Sequence, residues 1–301
     1  MIRLVGILVG LGFTFVVLLA LAFGIGPAFS TLAANGSFVE PTAEHEFHAE
    51  AHGPEGGFSF EGPLGKWDVA QLQRGYQVYS EVCAACHSMN LVAFRNLEQL
   101  GYSEAQAKAE AATKQVPGID PVTGEATLRD GTYTDYFPAP YANNVAAAAA
   151  NNNAIPPDLS LITKARHHGT DYVYSLLTGY TDPQTYTNEE GETLAETFPD
   201  SLPGENLYFN PYFANLNLAM APPLNPGQVS YSDGTEATVP QMAEDVAAFL
   251  TWTAEPSLVK RKQTGWWVIA FTLFATVLAW FAKKQVWAPV KPRKTAARRK
   301  D

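Results

Sequence analysis

A chain of 301 residues with 47% apolar content is long enough for one or two globular domains and too apolar for a disordered segment. Its charge is segregated: residues 31–255 hold 29 acidic against 8 basic side chains, whereas residues 257–301 hold 11 basic ones against Asp301 alone. The acidic body argues against nucleic acid as a partner and for a cationic one, because a field of one sign steers opposite charge into encounter.

At the N-terminus, Arg3 precedes an apolar run over residues 4–29, and no further charge appears before Glu40. Residues 1–30 are a signal peptide, with small residues suited to cleavage at Ala28 and Ser30 or at Thr31 and Ala33, or a retained membrane anchor. Either would export the acidic body. Residues 31–66 form an acidic, Gly- and Pro-rich stretch without apolar periodicity, expected as a flexible lead-in. Within it His45, His48 and His52 alternate with Glu44, Glu46 and Glu50; a weak metal site is conceivable there, and a solvated linker accounts for them as well.

Residues 67–256 are expected to be the folded domain. Val69, Leu72, Tyr76, Tyr79 and Val82 recur at intervals of three and four, which predicts an amphipathic helix ending at Cys83. There stand the only two cysteines, in Cys83-Ala84-Ala85-Cys86-His87. Two thiols three apart on a helical turn can both form thioethers with haem vinyl groups, and the next residue then falls beneath the iron as an imidazole ligand. A redox dithiol would need a strand-rich surrounding pattern, and a structural zinc site further Cys or His at ligand spacing. Neither pattern is present, so the motif predicts one covalent haem c.

Ser103, with Gln106 three residues on, opens a second helix that runs to Lys114. A short alanine helix flanked by asparagines falls within residues 143–153, and another helix over residues 171–178 stops at Gly179. Between them, Arg166 is one of the eight bases in the acidic body. A guanidinium suits a haem propionate, and equally an ordinary surface ion pair. Residues 182–205 carry Asp182, Glu189, Glu190, Glu192, Glu196, Asp200 and Glu205 with no base among them.

Three methionines compete for the sixth iron position. Met89 lies too close to His87 to reach the opposite face of the ring, and Met242 has the helical spacing of a core residue. Met220 sits in an irregular segment stiffened by Pro222 and Pro223, far enough along the chain to close over the haem. His167 and His168 are the rivals and would give a bis-His haem of lower potential. Asp233-Gly234 signals a hairpin between residues 229–231 and 237–239; then Pro240 opens a helix that Pro256 closes.

The uncharged residues 265–282 are just long enough to cross a bilayer core, with Trp266, Trp267, Trp280 and Trp287 near the ends and lysines outside them. Eight Lys and Arg follow Ala282, so residues 283–301 are expected to be a cytoplasmic tail, with the acidic domain on the periplasmic side of a bacterial inner membrane. The expected fold is mainly α: a cytochrome c-like haem domain with long loops, plus a C-terminal transmembrane helix.

Several ordered segments resemble the cytochrome c1 family, the haem subunit of the quinol–cytochrome c reductase (cytochrome bc1) complex. They are residues 73–79, Cys86-His87-Ser88-Met89, Pro156-Pro157-Asp158-Leu159-Ser160, Ala165-Arg166-His167, residues 171–173, residues 176–180, residues 208–213, Met220-Ala221-Pro222-Pro223, Asp233-Gly234-Thr235 and the basic-flanked terminal span. The resemblance implies that Met220 is the second axial ligand and that Arg166 lies at a haem propionate with Tyr172 nearby. It also implies transfer of one electron from a Rieske iron–sulfur protein to a cytochrome c in the respiratory chain, beside cytochrome b. The subunit is not expected to be catalytic alone. Some bacterial relatives brace the methionine loop with a disulfide, and this chain has no cysteine left for one. A self-standing membrane-anchored cytochrome shuttle is the alternative with the same chemistry.

Overall fold

The computed structural model describes residues 2–35 and 41–290. The chain is mainly α-helical with little sheet, and it divides into two compact units. One comprises the chain through Glu50 with Gly179–Pro222; the other comprises Ala51–Thr178 and everything from Pro223.

In the larger unit, α3 (Val69–Glu81) begins at Asp68, whose side chain accepts hydrogen bonds from the Ala70 and Gln71 amides. Helix α9 (Val239–Ala254) is capped by Thr238, has Pro240 in its first turn, and is buried on nearly every face. Such an all-round apolar helix belongs at the centre of a core. The two helices cross at Gly75: a Cβ there would fall on the Asp245 carbonyl and lie 2.6 Å from Phe249 Cβ. Around the crossing, Tyr76 and Tyr79 meet Phe249 with ring centroids 5.7 and 5.8 Å apart, and Phe137 packs on Tyr79 and Phe94. Arg74 fastens the same crossing, with Nε and Nη2 each 3.0 Å from the fully buried Asp245 carboxylate and Nη1 2.9 Å from Asp233.

Asp233 is therefore a tether rather than a hairpin tip. No strands flank it, because Val229 and Tyr231 turn into the core and its carboxylate also accepts from the Thr235 amide. The hairpin of this unit is instead β1 (Gln115–Ile119) and β2 (Ala126–Asp130), antiparallel with Gln115 opposite Asp130. Its turn is shaped by the Asp120 side chain, which accepts from the Val122 and Thr123 amides. Around these lie α4 (Glu104–Ala112), with Ser103 and Gln106 forming the capping box, and α5 (Asn144–Ala150), capped by Asn143. Then follow α6 (Ile162–Ala165) and α7 (Thr170–Thr178), both packed on α9.

After α9 only three residues intervene before a long helix over residues 258–287. At 1.5 Å per residue its 30 residues span about 45 Å, so the apolar stretch 265–282 is the middle of a longer rod. Lys262 Nζ donates to the carbonyls of Phe60 and Gly62, each at 3.0 Å, and Trp266 Nε1 donates to Pro63. At the far end Lys284 lies over the Trp280 ring, 3.7 Å from its centroid. The expected basic tail lies outside the described residues from position 291 onward.

The smaller unit contains α1 (Ile2–Asn35), a second helix long and apolar enough to cross a membrane, which runs unbroken through Pro27 and both expected cleavage points. Its compact part is a small core of Ala43, Phe47, Leu194, Phe209 and Leu216. These residues come from α2 (Ala43–Glu46) and α8 (Leu194–Thr197) and from a two-residue strand pair, Tyr208–Phe209 with Asn217–Leu218. Residues 41–66, expected as a flexible lead-in, thus carry four buried apolar side chains across the two units: Ala43, Phe47, Phe58 and Phe60. Isolated aromatic anchors of this kind leave no helical or strand period to read.

Gly75→Ala is expected to cost roughly 3 kcal/mol or more, because neither backbone at the crossing can retreat. Chemical denaturation of the purified protein checks it, and a wild-type midpoint would show that the crossing is not tight.

Candidate haem site

Helix α3 runs directly into a single 3₁₀ turn, Cys83–Ala85. The amides of Cys86 and His87 both donate to the Cys83 carbonyl, at 3.1 and 2.9 Å, so the two thiols and the imidazole leave successive corners of one turn. Cys83 and Cys86 are half-buried and unbridged. The Tyr141 hydroxyl lies 3.8 Å from Cys86 Sγ.

His87 Nδ1 is 2.8 Å from the Pro157 carbonyl. A carbonyl only accepts, so Nδ1 carries the ring proton and Nε2 keeps its lone pair. Burial pulls the His87 pKa below its ordinary value, against the pull of Pro157 and Asp158, and so favours the neutral ring. A neutral imidazole with its second nitrogen tied to a carbonyl is the form that ligates metal. The cysteine pair and His87 therefore fit a covalently attached haem.

The segment behind His87 is held by side chains. Asp158 Oδ2 accepts from Ser88 Oγ (2.9 Å) and the Asn90 amide (2.8 Å), and its Oδ1 accepts from the Ser160 amide (2.9 Å). The Leu159 amide donates to the Ser88 carbonyl, and Ser160 Oγ accepts from the Leu91 amide. Against burial, which would raise it, these donors keep the Asp158 carboxyl below the usual carboxylate range.

Of the other expected site residues, Arg166 and Tyr172 are brought together. The exposed Arg166 ends α6 and donates to the Ala165 carbonyl at 3.2 Å. Burial lifts the pKa of the half-buried Tyr172 hydroxyl, while the Arg166 guanidinium beside it acts in the opposite sense. His167 and His168 are exposed on the α6–α7 connection, where His168 adopts φ 61° and Gly169 φ 51°. Met89 and Met242 are wholly buried in the core of the larger unit. Met220 belongs to the smaller unit; it is half-buried, and its carbonyl accepts from the Tyr180 hydroxyl at 3.0 Å. Sequence reasoning passed over Tyr141 and the role of Asp158. A lone tyrosine gives no signal, whereas the Pro-Pro-Asp triplet marks a stiff segment without saying what it touches.

All seven acids of residues 182–205 are exposed, and none forms an ion pair among the described residues. Buried Leu194 anchors that segment from within. Among the described residues no group of three His, Cys, Asp or Glu is placed to hold a metal ion, the 45–52 stretch included.

A family model described as the cytochrome C1 family matches residues 58–290. Cytochrome c1 of Rhodospirillum rubrum is 44% identical over 78% of this chain and 87% of its own length. The mitochondrial cytochrome c1-1 heme protein of Solanum tuberosum is 42% identical over 90% of this chain and 84% of its own. A cytochrome b/c1 of Bradyrhizobium diazoefficiens is 40% identical over 87% of this chain, which spans only 39% of that longer protein.

The Cys83 thiol bears on the redox-dithiol alternative. Burial, with Cys86 adding to it, pushes the Cys83 thiol up to about 12, whereas a reactive dithiol works through a depressed value. In haem-free chain, alkylation of Cys83 by iodoacetamide is therefore expected to be slow at pH 7 and to rise about ten-fold per pH unit until near the pKa. Rapid labelling at pH 7 would restore the dithiol reading.

Proposed function

The chain belongs to the cytochrome c1 family, and from that premise we propose that it relays one electron at a time from a Rieske iron–sulfur protein to a cytochrome c, through one covalently held haem c. The family is that of the haem-containing, membrane-anchored electron-transfer subunit of the bc1 complex. The observation that carries the finer reading is the His87 ring, fixed by Pro157 through Nδ1 with Nε2 unengaged, one residue beyond the cysteine pair.

In this reading the haem supplies a one-electron couple. Cys83 and Cys86 would hold it through thioethers, and His87 would offer Nε2 to the iron. Met220, which the family resemblance assigns as the other ligand, would supply its thioether from a loop whose backbone Tyr180 and the adjoining prolines restrain. A His/Met pair favours the reduced state and leaves no open position for a substrate, which suits relay rather than catalysis. Arg166 and Tyr172 would serve the propionates, the guanidinium offering paired donors to a carboxylate. The raised pKa of Tyr172 keeps it a neutral donor.

Residues 67–256 then make the haem domain on the periplasmic side, 265–282 the span, and 283–301 the cytoplasmic tail. The segregated charge and the tryptophans and lysines at the ends of the span support that orientation. A relative whose name joins cytochrome b and c1 in one protein supports cytochrome b as the neighbour in the membrane. The unpaired acids of residues 182–205 are the surface we assign to a basic cytochrome c, giving fast and weak encounters.

Two measurements test this. Met220→Leu should retain covalent haem but lower its midpoint by on the order of 0.1–0.3 V, within the roughly 0.8 V that axial ligation spans. An unchanged redox titration would mean that another residue ligates. The rate of electron transfer to cytochrome c should fall at least roughly ten-fold between low and physiological salt, and a rate independent of ionic strength would remove the docking surface.

A further inference from the structure

We propose that Asp158 is a positioning residue for the iron ligand: it holds the Pro157 carbonyl on His87 Nδ1 and so sets the tautomer and donor strength of the imidazole. The inference rests on His87 ligating the haem.

His87 cannot orient itself. Its backbone belongs to an irregular stretch after a single 3₁₀ turn, and its side chain is fixed by one hydrogen bond to a carbonyl 70 residues away. That carbonyl is only as well placed as its own segment. Residues 157–160 make no sheet with residues 87–91. One backbone bond joins them, from the Leu159 amide to the Ser88 carbonyl, and side chains supply the rest. Asp158 is the hub. One carboxylate oxygen grips Ser88 Oγ and the Asn90 amide on the ligand's segment, and the other grips the Ser160 amide on its own. The Ser160 hydroxyl, itself wholly buried, adds a further link by accepting from the Leu91 amide. The Pro157 carbonyl lies in the planar peptide unit shared with the Asp158 amide nitrogen, so holding residue 158 restrains the direction of that carbonyl.

The hydroxyls of Ser88 and Ser160 and the amides of Asn90 and Ser160 converge on Asp158, and all require an acceptor. Asparagine has only one acceptor oxygen, so in Asp158→Asn at least one of the two grips must face an NH₂ and part. Only an anion at this position serves both sides. The effect on the site is electronic as well as mechanical. A firm Nδ1–H···O bond makes the ring a stronger donor to iron, and a nearby negative charge also favours the oxidised state. Loosening the bond and removing the charge both move the midpoint upward.

The test uses the full-length, haem-loaded protein in detergent. In Asp158→Asn the midpoint should rise, and the His87 Nδ1–H, read as a shifted proton resonance, should exchange with solvent about ten-fold faster, as loss of one ordinary hydrogen bond allows. Ser88→Ala removes one donor without changing charge, and should speed the same exchange by a smaller factor. Ser103→Ala, which removes the cap of α4, lowers stability while leaving both readouts at wild-type values, so a general loss of stability is distinguished from loss of positioning. Wild-type exchange in a folded Asp158→Asn protein, or in Ser88→Ala should the first variant fail to fold, would overturn the proposal. Absence of shifted His87 ring resonances in the wild-type protein would instead bring down the ligand assignment, and the inference with it.

Discussion

Two helices approach here as closely as they do only because one residue lacks a Cβ, and the haem-motif unit is arranged around that contact. With Gly75 set against the Asp245 carbonyl, α3 can lie along α9 closely enough for Tyr76, Tyr79 and Phe249 to share one aromatic layer. The crossing also fixes where α3 stops. Since the cysteine turn starts two residues after Glu81, the position of both thiols derives from a contact about two helical turns earlier. Arg74 and Asp245 add direction to a packing that hydrophobic burial alone would leave free to slide. Burial lifts the Asp245 carboxyl toward neutrality, the Arg74 fork opposes it, and the guanidinium retains its charge throughout. A buried pair of this kind is better understood as setting register than as a source of net stability.

How much of this the sequence disclosed depends on the kind of signal each element carries. Helices α3, α4, α7 and α9 were legible from distinct local signals: apolar spacing for α3, the Ser103–Gln106 capping box for α4, the stop at Gly179 for α7, and Pro240 and Pro256 bracketing α9, whereas the caps Asp68 and Thr238 emerge only in the structure. The family was legible from motifs in order. The hairpin was misplaced because Asp233-Gly234 satisfies turn chemistry locally, yet a distant arginine and two core side chains override strand pairing there. The true hairpin contains Pro117 and has a wholly exposed second strand, so neither alternation nor β-branched content marks it. At the site, Cys83, Cys86 and His87 are read from adjacency. Asp158 acts across 70 residues, a relation that one sequence cannot express.

Charge in this chain separates into regions with different physical tasks. The acids of residues 182–205 stand unpaired in water, where salt screens them and a mobile counter-charge can displace that salt. Arg74 is paired with Asp245 inside the fold and with Asp233 at its edge. Lys262 is held by two backbone carbonyls, and Lys284 lies on an indole face. The net charge of −10 hides this division, because the exposed and unpaired fraction is what a partner meets.

Core and terminal helix are joined almost without a linker. Only Glu255, Pro256 and Ser257 separate α9 from the long terminal helix, and Lys262 and Trp266 strap the first turns of that helix to the loop at residues 60–63. A unit joined this way has no slack. It is fixed to the helix like a lamp bolted to its post rather than one hung from a cord. Lengthening the joint by a few glycines would introduce the slack that three intervening residues deny it.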